Sequence, residues 1–276
     1  MAPAKPIEPE AFREFERSGW QKVAQEYQDH YSRVTRQTVE PLLDAVGAGQ
    51  GDRILDVATG PGYGAAAVVD RGAQGIGIDF SEPQIVMARE QFPVAEFHVG
   101  DAEDLPFPDA DFDAVIMNFG ILHFPRPEVA VAEAHRVLKP GGKLAFAVWA
   151  TSEISMAYKV IEGALRAHAD LDLPIPGGPH PYRFSDPEEC NRVMSDAGFQ
   201  DYVFKIVNTV WRLPSADALF QAVSTAGVRM TSILDLQTPE TLERIRYQMK
   251  ADCAEYEKDG STDIPMGAVI SSATKP

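Results

Sequence analysis

Three closely spaced glycines, Gly60, Gly62 and Gly64, follow a short apolar run and precede a helical pattern. At such a strand-to-helix turn the backbone bends sharply and a ligand can approach it closely, which side chains would prevent. The segment GPGYGA satisfies the pattern G-x-G-x-x-A, and Asp79 lies 19 residues after Gly60, where a ribose-binding acid is expected. The spacing therefore indicates a nucleotide-like ligand; a tight turn without a ligand is the structural alternative.

A second carboxylate, Asp101, ends a later apolar run. Because both aspartates close predicted strands, Asp79 can accept from two ribose hydroxyls and Asp101 from an exocyclic adenine amine. Further along, LPFPDADFDAVIMNFGILHF is followed by EAHRVLKPGGKLAFAVW. These four motifs in this order are far more specific than the glycine loop alone.

Alternating strand and helix patterns position these residues. Short apolar runs bounded by turn residues predict buried parallel strands at Arg53–Val57, Gly75–Asp79, Ala95–Val99, Asp113–Phe119 and Lys143–Trp149. Helical patterns lie between most of them, at Gly64–Asp70, Glu82–Gln91 and Glu128–Leu138. The alternation predicts an α/β fold with a doubly wound sheet.

Helix boundaries and the less regular last third can also be predicted. Ser81 with Gln84, and Ser185 with Glu188, have the spacing of capping boxes. Tyr202–Leu213 is predicted to be one long strand, and Met266–Ala273 a final strand. The helical pattern between those two strands is too long for a turn and too short for its own core, which favours a cap on the sheet.

The N-terminal region carries an aromatic stripe. Between Phe12 and Val34, large apolar residues recur mostly at gaps of three to five, which predicts one or two helices, and Gln37–Val46 predicts another. We therefore expect N-terminal lid helices over 1–48, a core over 49–213, a helical cap insertion over 214–262 and a final core strand over 263–276.

Composition restricts the class of protein and its partners. Lys and Arg number 25 against 41 Asp and Glu, and the resulting net charge of −16 repels nucleic acid. The two cysteines, Cys190 and Cys253, have no metal-ligand spacing, and no apolar run approaches the ~18 residues of a membrane span. The first ten residues lack the apolar core of a signal peptide, so we expect a cytoplasmic protein without a metal or membrane partner. The oligomeric state is left open.

From about Ile54 to Trp149 the motifs resemble those of class I S-adenosylmethionine (SAM)-dependent methyltransferases. The nearest branch includes ubiquinone and menaquinone C-methyltransferases and many small-molecule methyltransferases of secondary metabolism. The resemblance implies a Rossmann-like seven-stranded sheet of order 3-2-1-4-5-7-6 with the last strand antiparallel. It also implies SAM as cofactor, S-adenosylhomocysteine (SAH) as product, and no metal.

The resemblance further implies site residues. The loop from Asp56 to Gly62 would hold the methionine part of SAM, and Asn118 and Phe119 would face the sulfonium and the acceptor. The family often has glycine where this chain has Ala58, and a methyl group is tolerable there if the backbone keeps a negative φ. Cofactor contacts are expected from Tyr27, Ala58, Gly60, Gly62, Asp79, Phe80, Asp101, Ala102 and Asn118.

Catalysis requires in-line positioning, desolvation and sometimes a base. His123, in NFGILHF, is the candidate base, with a structural histidine as the alternative. Trp20 and Tyr31 are candidates to line the acceptor site on the lid, with packing in a core as the alternative.

The function predicted is methyl transfer from SAM to a small, aromatic or hydrophobic acceptor, with oxygen favoured. C- or N-methylation of a quinone-like or amine metabolite, and SAM binding without methyl transfer, remain alternatives. A nicotinamide-dependent oxidoreductase is disfavoured by KPGG before the fifth predicted strand and by Asp101 after the third. The acceptor and the methylated atom stay open.

Overall fold

The computed structural model describes residues 7–276, which form two compact units. The first unit contains Met1–Val34, as far as it is described, with Ala150–Gly178 and Asn208–Gly267. The second contains Thr35–Trp149, Pro179–Val207 and Ala268–Pro276. Residues 1–6, which belong to the segment predicted to lack a signal peptide, lie outside the described residues. Within 7–276, no helix is long and apolar enough to cross a bilayer.

The α-helices in chain order are α1 (Pro9–His30), α2 (Ser32–Thr35), α3 (Val39–Val46), α4 (Tyr63–Asp70), α5 (Glu82–Gln91), α6 (Pro127–Val137), α7 (Met156–His168), α8 (Pro187–Asp196), α9 (Asp217–Thr225), α10 (Val228–Asp235) and α11 (Pro239–Cys253). The strands are β1 (Arg53–Val57), β2 (Gln74–Asp79), β3 (Glu96–Val99), β4 (Phe112–Asn118), β5 (Leu138–Trp149), β6 (Gln200–Val207), β7 (Val210–Leu213), β8 (Glu257–Lys258), β9 (Ser261–Pro265) and β10 (Ala268–Thr274). Short 3₁₀ turns cover Arg36–Thr38, Ile121–His123, Arg183–Ser185 and Ala254–Tyr256.

The second unit is built on a seven-stranded sheet of order β3-β2-β1-β4-β5-β10-β6. Strands β1 to β5 are parallel, and β10 runs antiparallel to both β5 and β6. Since β10 is the seventh strand of this sheet along the chain, the predicted α/β fold and its strand order are confirmed. Crossovers between parallel strands bring the carboxyl ends of β1 to β5 to one edge.

Burial on both faces explains why these strands are nearly continuous apolar runs. Ile54, Leu55, Ile76 and Ile78 have at most 1% of their surface exposed. Helix α4 packs so closely on β2 that a Cβ at Gly75 would overlap the Ala65 carbonyl oxygen. The core of the second unit therefore holds the edge of the sheet rigidly.

The single strand predicted over Tyr202–Leu213 is wrong. Strand β6 belongs to the seven-stranded sheet, whereas β7 belongs to an antiparallel sheet of order β7-β9-β8 in the first unit. In β7, Trp211 and Leu213 are buried and Arg212 is exposed, whereas in β6 the half-buried residues are Tyr202, Phe204 and Val207, so the alternation changes phase before the break at residues 208–209. Periodicity alone cannot show that the strand changes sheets.

Neither predicted capping box forms. Ser81 begins α5, but its side chain makes no capping hydrogen bond, and its backbone N–H donates to Asp79 Oδ1. At α8 the cap is Asp186, whose carboxylate accepts from Glu188 N–H at 2.9 Å. Pro187 occupies the first helical position, which makes Asp186 the N-cap and leaves Ser185 one residue outside.

In the first unit, α1 buries Phe12, Val23 and Ala24. Its Gly19 lies against Val228 of α10, where a larger residue would overlap the valine side chain. The helical pattern predicted between the last two strands contains α9, α10 and α11. Their buried faces include Leu219, Leu234, Ile245 and Met249.

Candidate functional site

The loop between β1 and α4 contains three residues with left-handed backbone conformations. Ala58, Gly60 and Gly62 have φ values of 57°, 54° and 89°. A Cβ at Gly62 would lie 2.8 Å from the Phe97 ring, so close packing requires glycine there. A Cβ at Gly60 would meet no atom within 4 Å. The backbone at Gly60 is thus uncovered, as a loop that receives a ligand must be.

Ala58 does not meet the condition of a negative φ, because its φ is 57°. An L-residue in this region costs roughly 1–2 kcal/mol, because its Cβ crowds the following carbonyl oxygen. A Cβ on Gly120 would lie only 2.6 Å from the Ala58 methyl group. Gly120, which follows β4 and has no side chain, therefore leaves room for the methyl group of Ala58.

Asp79, the last residue of β2, ties the glycine loop to α5. It is 7% exposed; its Oδ2 accepts from Gly60 N–H and its Oδ1 from Ser81 N–H, both at 2.9 Å. Burial raises the pKa of Asp79 to about 6, while these hydrogen bonds and the charge of His123 oppose the rise. A carboxylate has about four acceptor sites, so Asp79 keeps acceptor capacity for a ligand hydroxyl beside its backbone hydrogen bonds.

Asp56, in β1, is a second buried carboxyl group and is 1% exposed. Its Oδ2 accepts from the Thr59 hydroxyl at 2.6 Å and from Ala65 N–H at 3.1 Å, and its Oδ1 has no partner. Burial raises the pKa of Asp56 to about 7, and the charge of Asp79 contributes to the rise. A Cβ at Gly64 would overlap this carboxyl group, so the third glycine of the motif makes room for Asp56.

The segment after β3 places Asp101 and Ala102. Asp101 Oδ1 accepts from Glu103 N–H at 2.9 Å, Ala102 is buried, and Phe80 after β2 is half-buried. Glu103, which sequence analysis missed, accepts from Arg126 N–H and Nε at 2.7 and 2.8 Å. It fixes this segment to the start of α6, and nothing in its sequence spacing distinguishes it.

Asn118, the last residue of β4, binds the segment that precedes α3. Its Oδ1 accepts from the Thr38 hydroxyl at 2.7 Å, and its Nδ2 donates to the Thr35 carbonyl at 3.0 Å. Thr35 and Thr38 were not predicted as site residues, because no local pattern joins them to β4. The Asn118 side chain therefore positions the segment 35–38 at the edge of the sheet.

Aromatic rings close the ends of β4 and β5. Phe119 has a φ of 60° and stacks on Trp149, with ring centroids 3.9 Å apart and planes at 27°. A bulky residue with positive φ is a backbone outlier, and such strain is concentrated at functional sites. Phe119 is 5% exposed and Trp149 7%. The pair forms an apolar surface next to Asn118.

His123 ends the 3₁₀ turn that follows β4. It is half-buried, and its charge, when protonated, lowers the pKa of Asp79. The structure therefore brings His123 within electrostatic range of the carboxylate at the end of β2. Its role as a base stays a prediction.

Trp20, Tyr27 and Tyr31 lie in the first unit and contact one another. Trp20 meets Tyr27 edge-on at 5.3 Å, Tyr27 stacks on Tyr31 at 5.9 Å, and Tyr31 contacts Trp211 at 4.6 Å. Burial raises the pKa of Tyr31. The aromatic stripe therefore packs within the first unit. The roles predicted for Tyr27 at the cofactor and for Trp20 and Tyr31 at the acceptor stay predictions.

Residues 55–146 match the family model of a methyltransferase domain. They include the end of β1, the glycine loop, Asp79, Asp101 and Asn118. Residues 55–146 thus form a methyltransferase domain. Among residues 7–276, no group of three or more His, Cys, Asp or Glu side chains is arranged to hold a metal ion.

The methyltransferase domain has relatives of several named activities. A demethylmenaquinone methyltransferase of Renibacterium salmoninarum is 42% identical over 113 residues, which are 41% of this chain and 48% of the relative. The chain thus spans about half the length of that curated relative. A malonyl-[acyl-carrier protein] O-methyltransferase of Enterobacter lignolyticus is 27% identical over 231 residues, which are 82% of this chain and 84% of the relative. A SAM-dependent methyltransferase from Thermotoga maritima shares the fold, with a TM-score of 0.55 and 21% identity. The match covers 95% of this chain and 100% of that protein.

Proposed function

We propose that the protein transfers a methyl group from SAM to a small aromatic or hydrophobic acceptor. The observation that carries the proposal is the Asp79 carboxylate, which holds the uncovered Gly60 backbone while keeping acceptor capacity at the end of β2. Asp101 follows the neighbouring strand β3. This order of acids along a sheet edge suits a nucleoside, with ribose at Asp79 and adenine at Asp101 and Ala102.

The residues present fit SAM. Gly60 has open space where a side chain would lie, Asp79 keeps acceptor capacity, and Phe80, the next residue, has a half-buried ring. When bound, SAM supplies a methyl group on a positively charged sulfur. The protein's contribution is to orient the acceptor in line with that group and to exclude water.

The aromatic pair Phe119 and Trp149 favours an apolar, planar acceptor. Phe119 directly follows Asn118, the last residue of β4, Trp149 ends β5, and both rings are almost fully buried. Oxygen is the favoured methylated atom, with His123 as the base that removes the acceptor proton. Methylation of a quinone-like carbon is the second candidate, which the name of the demethylmenaquinone methyltransferase supports.

Calorimetry with SAM and SAH tests the proposal. Removing a charged acceptor from a hydroxyl pair costs about 1.5–3 kcal/mol, so Asp79→Ala should weaken binding roughly ten- to a hundred-fold. Asp79→Asn, which keeps the side chain's size, should also weaken it. The control is Asp70→Ala at the exposed end of α4.

Unchanged SAM affinity in both Asp79 variants, or binding of NAD by the wild type, would refute the cofactor assignment. With binding established, a screen of phenols, quinols and amines with methyl-labelled SAM identifies the acceptor class. Labelled product from phenols or quinols is expected; product from amines alone would refute the acceptor proposed here.

A further inference from the structure

Arg36 is an exposed cation placed beside the glycine loop. It begins the 3₁₀ turn Arg36–Thr38, and its guanidinium carbon lies 4.2 Å from the centre of the Tyr63 ring. Tyr63 is the first residue of α4, directly after Gly62. A guanidinium over an aromatic face is attracted by the ring's electrons. The contact therefore holds the charge next to the loop.

The segment that carries Arg36 is fixed to the sheet at β4. The Thr38 hydroxyl donates to Asn118 Oδ1, and Asn118 Nδ2 donates to the Thr35 carbonyl. The single hydroxyl hydrogen of Thr38 is shared between Asn118 Oδ1 and the Thr35 carbonyl oxygen, which lies 2.6 Å from the hydroxyl oxygen and closes the turn around Arg36. Since Asn118 ends β4 and Tyr63 follows the loop from β1, Arg36 lies on the β1–β4 side of the edge.

The guanidinium of Arg36 is available for an anion. Arg53, Arg71 and Arg136 each bind a carboxylate of this acidic chain. Within residues 7–276, Arg36 forms no ion pair, and its described contact is the Tyr63 ring.

The order of groups along the edge identifies the anion. In the sheet order β3-β2-β1-β4, Asp101 follows β3, Asp79 ends β2, and Arg36 lies beyond them at β1 and β4. With the nucleoside at the two aspartates, the other end of SAM, an amino acid with a free carboxylate, extends toward Arg36. Arginine binds carboxylates through two parallel N–H···O bonds.

We propose that Arg36 binds the carboxylate of the cofactor's methionine part, with Tyr63 holding the guanidinium plane. This inference rests on the proposed function, because it takes SAM as the ligand. It adds a binding residue, Arg36, and a positioning residue, Tyr63, to the site.

Two ligands that differ only at the amino-acid end test the inference by calorimetry. SAH carries the carboxylate, whereas 5′-methylthioadenosine lacks the whole amino-acid group. Arg36→Ala should weaken SAH binding ten- to a hundred-fold and change methylthioadenosine binding less than twofold. Tyr63→Leu should weaken SAH binding by a smaller factor, and Tyr63→Phe, which keeps the ring, should not. The control is Arg33→Ala, an exposed arginine three residues earlier.

Unchanged SAH affinity in Arg36→Ala, or equal weakening of both ligands, overturns the inference. Loss of labelling for anionic acceptors alone, with SAH affinity intact, also overturns it and assigns Arg36 to the acceptor. If the wild type binds neither SAH nor methylthioadenosine, the proposed function fails first, and the inference fails with it. Circular dichroism of each variant shows that the fold is retained, as expected for an exposed residue.

Discussion

Asp56 and Asp79 are buried carboxyl groups whose pKa values are raised by burial, to about 7 and about 6. The unfolded chain releases these protons at lower pH, near 3.8 for each group. Their stabilising contribution is therefore complete below about pH 4 and is lost as the pH rises through the folded pKa values. Protonated Asp56 can also keep its hydrogen on Oδ1, the oxygen without a partner.

We expect the free energy of unfolding to fall by up to about 1.4 kcal/mol per pH unit for each carboxyl group between its unfolded pKa near 3.8 and its folded pKa, which is about 7 for Asp56 and about 6 for Asp79. Asp56→Asn should flatten this fall, because it removes one titrating group. Urea unfolding at several pH values from 5 to 8 measures the slope.

Asp113→Asn is the matched control for Asp56→Asn. Burial raises the pKa of Asp113, but hydrogen bonds from Lys139 and Arg53 outweigh burial and lower it. Ionised Asp113 therefore stabilises the folded protein above its unfolded pKa of 3.8. This contribution is lost only as the pH falls through the lower pKa of the folded state. Equal slopes from pH 5 to 8 in wild type and Asp56→Asn would contradict the assignment.

His123→Ala should lower kcat by ~10²–10⁴, the usual contribution of a general base. SAH affinity should stay unchanged at pH 8, where Asp79, with a pKa of about 6, is ionised with or without the nearby charge. Single-turnover rates with an acceptor from the labelled-SAM screen measure the effect. His98→Ala, on β3 beside Glu96, is the histidine control. A drop of less than threefold would make His123 a structural residue.

At the scale of elements, the Asn118 side chain at the end of β4 binds the turn that precedes α3. Asn118 binds the turn that carries Arg36, and the next residue, Phe119, packs on the end of β5. The two hydrogen bonds join residues 80 and 83 positions apart, so β4 is connected to the chain before β1.

Asn118→Ala should destabilise the protein by about 1–3 kcal/mol, since each lost hydrogen bond contributes about 0.5–1.5 kcal/mol net. SAH affinity should fall as well, because Arg36 loses its support. Urea unfolding and calorimetry measure the two effects. Asn191→Ala, on the exposed face of α8, should change neither. Unchanged stability in Asn118→Ala would show that the turn keeps its position without this residue.

At the scale of the whole molecule, each compact unit is assembled from three separate stretches of chain. Helix α1 belongs to the first unit, where it buries Phe12 and Val23 and leads into the contact between Tyr31 and Trp211. The Trp211 indole N–H also donates to the His30 carbonyl at 3.1 Å. The N-terminal segment is thus part of a core, in addition to the lid role predicted for it.

Deleting residues 1–31 should destabilise the first unit, because losing a single large buried side chain costs about 2–5 kcal/mol. Hydrogen exchange by mass spectrometry should show faster exchange in β7 and α9, while β1 and β4 keep their protection. Deleting residues 1–7, which precede α1, is the control. Full protection of β7 in the longer deletion would contradict this role of α1.

The sequence alone determined the sheet of the second unit and the acids along its edge. Parallel strands buried on both faces must be short apolar runs, and the turns between them need glycine or polar residues, so both signals are local. The bounds predicted for β1, β2 and α5 therefore agree with the structure within one residue. The order of the sheet came from the resemblance to a family, since no local pattern determines it.

Only the tertiary structure decided how distant parts of the chain meet. The Tyr202–Leu213 run divides between two sheets, because β6 pairs with β10 and β7 pairs with β9, and neither pairing is visible in the local sequence. Ala58 adopts a positive φ because the turn into α4 requires it, although alanine itself disfavours that region. Thr38 on Asn118, and Arg36 on Tyr63, are contacts between segments that share no sequence pattern. Local residue types set which elements form, whereas these pairings depend on packing that the chain acquires only when it folds.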